Sequence, residues 1–141
     1  RLGVQERGEV HDWWGVDRRK WRLMLEQLVA EDELLSSHLE EVKAFVNHTD
    51  MAAVEWIVTM RQGLRDASQY PDRVLRFRYE DMVAKPRQRL AELLEFCELE
   101  EDTTFMDYAA TVLRPTPMRA PFPLPPVITP SFESTMASLG Y

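Results

Sequence analysis

Apolar residues recur through the first half of the chain with the period of a helix. Trp21, Met24, Leu25 and Leu28 stand at i, i+3, i+4 and i+7, so a helix starting near Asp17 puts them on one face. A second stripe, over about residues 32–47, joins Leu35, His38, Leu39, Val42, Phe45 and Val46. Glu31, Asp32 and Glu33 lie at its start, where negative charge suits the helix dipole and reads as a solvated helix end. Thr49-Asp50 then offers an N-cap for a third helix running to about Ala67, with Ala53, Trp56, Ile57, Met60 and Leu64 inward. Tyr70-Pro71-Asp72 ends that helix in a turn.

The period changes at Arg73. Leu75, Phe77 and Tyr79 alternate with Arg76 and Arg78, which predicts a strand over 73–79. Glu80-Asp81 stops it and caps a short helical turn. Lys85-Pro86 opens another helix, with proline at the first helical position, where its missing N–H costs nothing. Leu90, Leu93, Leu94 and Cys97 form its core face. Asp102 or Thr103 caps a further helix bearing Phe105, Met106, Ala109 and Val112. Seven prolines between residues 114 and 130 leave no room for helix or central strand. This stretch should be extended and, with Met118, Phe122, Leu124, Val127 and Ile128, should lie against other structure. A last helix begins at Thr129-Pro130 and stops at Gly140, a C′ glycine. Residues 1–16 read as loop.

Composition narrows the classes. The 141 residues are 45% hydrophobic, too apolar for a disordered chain. Their 17 basic against 24 acidic side chains give a net charge of -7, which argues against nucleic-acid binding. No run of about 18 apolar residues is present, so no membrane-spanning helix is expected. A lone Cys97 cannot make an intrachain disulfide, and this fits a reducing, cytoplasmic setting.

A single strand among helices is an incomplete unit, because its backbone N–H and C=O groups need partners. Two readings follow. In one, 73–79 joins a sheet completed by chain upstream of Arg1. In the other, the domain is all-α and the segment is merely extended.

The run Arg76-Phe77-Arg78-Tyr79-Glu80-Asp81-Met82-Val83-Ala84-Lys85-Pro86 resembles a recurrent segment of sulfotransferases that use 3′-phosphoadenosine 5′-phosphosulfate (PAPS). So does the helix after it, closing in Phe96-Cys97-Glu98-Leu99. Trp56 and the ending Met136-Ala137-Ser138-Leu139-Gly140-Tyr141 look similar to the family pattern too, and the resemblance spans about residues 52–141. It implies an α/β class: the C-terminal part of a P-loop-like sulfotransferase fold, mostly helical here, with one strand joining a parallel sheet. The chain 1–141 is then the C-terminal portion of one sulfotransferase domain. Its parts are a loop at 1–16, helices plus the strand over 17–113, a proline-rich lid at 114–130 and a terminal helix at 130–139.

The resemblance also implies roles. Tyr79 lies near the adenine. Thr111, Arg114 and Arg119 are candidates for the 3′-phosphate, which a guanidinium fork binds through paired hydrogen bonds. Many members read Arg-Lys-Gly where this chain has Met118-Arg119-Ala120. The other readings stay open: Tyr79 as a strand-end core residue, Arg119 as a solvated loop residue. The phosphosulfate loop, the catalytic base and an Arg…Ser pair for the 3′-phosphate are not found in residues 1–141. The resemblance places them in the upstream part of the same protein, so this chain alone should not catalyse transfer. The acceptor is then a small molecule, a carbohydrate or a carrier-bound group. Its pocket is built in part by the helices of 17–67.

His11, His38 and His48 show no metal-ligand spacing. His38 reads as a packing residue, and His11-Asp12 beside Trp13-Trp14 is a candidate substrate mouth or else a packed edge. Arg18, Arg19, Lys20 and Arg22 read as a solvated face, or else as a recognition patch for an anionic substrate or carrier. The competing function is a helical protein-interaction module without a cofactor.

Overall fold

A computed structural model of the chain describes residues 13–117 and 122–141, and all regular structure among them is helical. The described chain falls into two compact units. One comprises the residues up to Gly63 with Phe122–Tyr141; the other is Leu64–Pro121.

In the first unit a 3-10 turn at Val16–Arg18 leads into α1 (Arg19–Met24), which loosens into a π-helical turn at Leu25–Val29. The Ala30 N–H reaches back five residues to the Leu25 carbonyl at 3.0 Å. That wider turn keeps Leu25 and Val29 inward beside Trp21 and Met24. The second stripe is helical only in part, as a 3-10 turn at Ser36–His38 and α2 (Leu39–Lys43). Leu35 and Val42 are buried as its pattern demands, whereas Val46 is 70% exposed. Asp32 explains why the helix does not start where its acidic run suggested. It is 1% exposed rather than solvated. Its Oδ1 accepts from the Leu34 and Leu35 N–H groups, so it closes a local turn instead of leading a helix.

The third helix, α3 (His48–Gln69), starts one turn's edge earlier than Thr49-Asp50 implied. Asn47 is its cap, with Oδ1 accepting from the Thr49 N–H at 2.8 Å. Its buried face is Met51, Ala53, Val54, Ile57 and Val58. Trp56 is half-buried against Phe132, ring centroids 4.9 Å apart. The terminal helix, α7 (Thr129–Leu139), ends as read: Gly140 takes φ 86°, and the Tyr141 N–H returns to the Met136 carbonyl. Ile128 before it is fully buried in the same core, with Leu124 and Val127 packed alongside. Leu124, Val127 and Ile128 of the proline-rich stretch thus join this unit's core, while Phe122 is half exposed.

In the second unit, α3 ends at Gln69 and the turn through Pro71 closes with the Arg73 N–H on the Tyr70 carbonyl. Next come α4 (Tyr79–Ala84), α5 (Pro86–Phe96) and α6 (Thr103–Val112). Pro86 opens α5 and Asp102 caps α6, accepting from Phe105 N at 2.6 Å. Leu90, Met106 and Ala109 make a small core between α5 and α6, with Leu93, Leu94 and Leu113 at its margin. Cys97, expected on that core face, is exposed.

The strand predicted at 73–79 is not formed. Residues 74–78 carry no regular structure; Arg78 alone is shown extended, at φ −87°, ψ 134°, no β ladder runs along the segment, and Tyr79 already opens α4. Among the described residues there is neither strand nor sheet, which overturns the α/β assignment with one strand in a parallel sheet. The all-helical alternative describes them instead. Alternation reports which side chains can share a face; a strand also needs a second backbone beside it. No described segment supplies one to 74–78.

Two stability measurements check this account. Arg61 Nε pairs with Asp32 Oδ2 at 2.8 Å, the arginine side chain being 15% exposed. Arg61→Met leaves a buried carboxylate without its cation and should cost about 3 kcal/mol in denaturant unfolding. Glu98, with φ 56°, ends α5 in a left-handed position, its N–H on Glu95 and that of Leu99 on Leu94. Glu98→Gly should raise stability by roughly 1 kcal/mol, because only a side chain is strained there.

Candidate functional site

Tyr79 owes its position to the change of structure at its own backbone. The irregular run 74–78 gives way to α4 at Tyr79, which is 45% exposed. Its hydroxyl donates to the carbonyl of Arg114 at 2.8 Å. That bond joins two residues 35 apart, at the start of α4 and just past the end of α6. The structure therefore brings Tyr79 and Arg114 together.

Arg114 is exposed, and its guanidinium makes one hydrogen bond among the described residues, a long one of 3.3 Å to the Leu113 carbonyl. Thr111, in the last turn of α6, is exposed and donates its hydroxyl to the Tyr108 carbonyl at 2.7 Å. Arg119 lies outside the described residues, as does His11.

Electrostatics in this unit are dominated by surface pairs. Arg87 on α5 and Asp107 on α6 form an ion pair with both side chains more than half exposed. Within α5, Arg89 Nη1 meets Glu92 Oε2 at 2.7 Å. The hydrogen bond from Arg89 holds the Glu92 carboxyl below its ordinary value against the opposing effect of desolvation, and Gln88 adds a further bond. Glu92 in turn raises Arg89. The Arg89 Nε is buried without a hydrogen-bond partner among the described residues.

The first unit holds a second polar constellation that sequence spacing did not reveal. Trp13 Nε1 donates to Glu55 Oε2 at 2.9 Å, and Lys20 pairs with Glu55 Oε1. The Lys20 ammonium also sits 4.0 Å above the centre of the Trp13 ring. Lys20, read as part of a solvated basic face, is thus the cation of this cluster. Trp14 is fully buried, edge-on to Trp21 at 5.5 Å, with its Nε1 3.3 Å from His48 Nδ1. The contacts join α3 to residues 34 and 42 positions earlier, and no local pattern encodes such a distance. His38 lies on the surface with Nδ1 3.0 Å from Glu41. Among the described residues no group of three His, Cys, Asp or Glu is arranged to hold a metal ion, and no helix is long and apolar enough to cross a membrane.

Residues 23–103 match the model of the sulfotransferase family. The match covers more than half of the chain and includes Tyr79 and the Tyr-Glu-Asp segment. The chain belongs to the sulfotransferase family. No curated protein and no solved structure matches it. Family membership supports sulfuryl transfer in general and does not favour a cofactor-free interaction module.

The Arg89–Glu92 pair gives a pH test. A carboxyl lowered in the folded state contributes stability above its ordinary range, and loses it as pH falls through the lowered value. In a carboxyl-carbon NMR titration Glu92 should show a midpoint below that of an ordinary glutamate, and Arg89→Met should move it up. Both side chains are about a third exposed to solvent, which screens the pair, so the accompanying change in stability should be small.

Proposed function

We propose that the chain is the C-terminal portion of a sulfotransferase domain that moves a sulfuryl group from PAPS to an acceptor hydroxyl or amine. The upstream part of the same protein supplies the phosphosulfate loop and the base. The lone, exposed Cys97 suits a cytoplasmic setting. The observation that carries the reading is the Tyr79–Arg114 hydrogen bond. It ties a half-exposed aromatic ring, inside the segment matched to the family, to an exposed cation.

These residues fit the nucleotide. The open face of Tyr79 suits stacking with a purine, and the Tyr79 hydroxyl holds the ring in place through Arg114. The Arg114 guanidinium suits a phosphate, which it can meet with two N–H groups. Thr111 joins by turning its hydroxyl away from Tyr108, and Arg119 belongs to the same stretch of chain. PAPS, when bound, supplies the activated sulfuryl group. The residues of this chain hold and orient it, and positioning together with charge neutralisation is what such a transfer needs. The chain leaving α6 past Arg114, stiffened by Pro115 and Pro117, covers the nucleotide and limits access of water.

The test is calorimetric titration of the full-length protein with 3′-phosphoadenosine 5′-phosphate. Saturable binding is expected. Arg114→Ala should weaken it about tenfold or more, since a charge-assisted hydrogen bond contributes about 1.5–3 kcal/mol. Tyr79→Ala should cost about 1–3 kcal/mol through lost stacking, and Tyr79→Phe distinctly less. No saturable binding, or binding indifferent to both residues, would overturn the assignment.

A further inference from the structure

We infer that the exposed face of α6 docks a cationic amphipathic helix of a partner protein. Met106 and Ala109 turn one side of α6 into the small core against α5. Phe105, Tyr108 and Val112 stand at i, i+3 and i+7, a single stripe on another side. They are 42%, 66% and 50% exposed. Two large rings and a branched side chain in line differ from the scattered single apolar residues that any surface carries.

Spacing selects a helical partner. A second helix laid along the stripe can interleave its own side chains at i, i+3 and i+4 with those of α6. An extended peptide repeats every two residues and matches such a row poorly. The ten residues of α6 span about 15 Å, roughly three turns. A contact of that length lies at the small end of protein interfaces, so the complex is transient and its affinity micromolar.

Charge selects the sign. From Leu90 to Leu113 the sequence holds acids but no Lys or Arg. Glu92 and Asp107 are paired with Arg89 and Arg87, and Asp102 caps α6. Glu95, Glu98, Glu100 and Glu101 are exposed and have no ion pair among the described residues. They lie at the end of α5 and on the chain entering α6, so the stripe has an uncompensated acidic end. Lys or Arg beside the apolar stripe of a partner would meet these carboxylates. The exposed rings of Phe105 and Tyr108 attract the same cations through their electron-rich faces. A nucleic acid or an anionic membrane would instead meet like charge. A second copy would approach carrying the same net charge of -7.

The full-length protein is titrated, without nucleotide, into a fluorescein-labelled peptide of Leu and Lys about four helical turns long, its leucines on one face. Fluorescence anisotropy should rise saturably. A peptide of the same composition with leucines spread around the helix should bind at least about tenfold more weakly, and so should one with Glu in place of Lys. Tyr108→Ser should weaken the first peptide about tenfold. Glu100→Lys with Glu101→Lys should weaken it severalfold and flatten its salt dependence. Val46→Ser removes an exposed apolar residue of the first unit and should change nothing. The altered side chains are exposed, and unchanged thermal melting by circular dichroism verifies that each variant is folded. No saturable binding, equal binding of the rearranged or acidic peptide, or indifference to Tyr108→Ser would overturn the inference. Self-association of the protein alone that Tyr108→Ser abolishes would overturn it too, because a second copy would then cover this face. Nucleotide enters none of these readouts, so their failure leaves the Tyr79–Arg114 reading untouched.

Discussion

The carboxylate of Asp32, 1% exposed, has a large desolvation cost that its partners must offset. Its Oδ1 takes two backbone N–H groups of the turn that follows, and its Oδ2 takes the Arg61 guanidinium from α3. One side chain therefore shapes a local turn and fastens it to a helix 29 residues away. Leu35 is delivered to the core by that turn, beside Val29 and Val42. Trp14, Trp21, Met51 and Ile57 complete the same core. A buried ion pair is a poor source of net stability, yet it discriminates strongly against arrangements that leave either charge alone. In this unit it makes one packing of the early helices on α3 much more favourable than its neighbours.

That packing has a chemical consequence. With α1 and the Trp13-Trp14 turn set against α3, Lys20 and Trp13 converge on Glu55. A carboxylate, an ammonium and an indole satisfy one another at the surface, and apolar walls are left facing outward. The second unit reaches its candidate site by simpler means. Its core is small, and a single hydrogen bond from Tyr79 links the start of α4 to the chain leaving α6. The two arrangements offer different chemistry. Tyr79 with Arg114 sets an exposed aromatic ring beside an exposed cation, whereas Glu55 gathers an ammonium and an indole.

Much of the helical structure was legible because its signals are local. Pro86 at the first position of α5, Asp102 capping α6 and Gly140 closing α7 act within one turn of chain. Helical period also marked Trp21, Met24, Leu25, Val42, Ile57, Leu90 and Met106 as inward. The family was legible as well, since the Tyr-Glu-Asp segment and its following helix lie within 25 residues. The acidic run at 31–33 was misjudged because solvation and capping draw on the same residue types. Only the surroundings decide which applies.

The segment 74–78 shows where local reading ends. Alternating Leu75, Phe77 and the two arginines favour extended backbone, and Arg78 at the end of the segment adopts it. Whether such backbone is a strand depends on hydrogen bonds to another segment, which period two cannot report. Tyr79 and Arg114 were singled out separately; the bond between them was decided by the fold. The Glu55 cluster and the Asp32–Arg61 pair belong wholly to tertiary structure. By itself the amino-acid order determined helix positions, caps and family, because those depend on neighbours within a few residues. Only folding could choose the partners of Asp32, Lys20 and Tyr79, because each bond spans about thirty residues or more and exists only once the helices are packed.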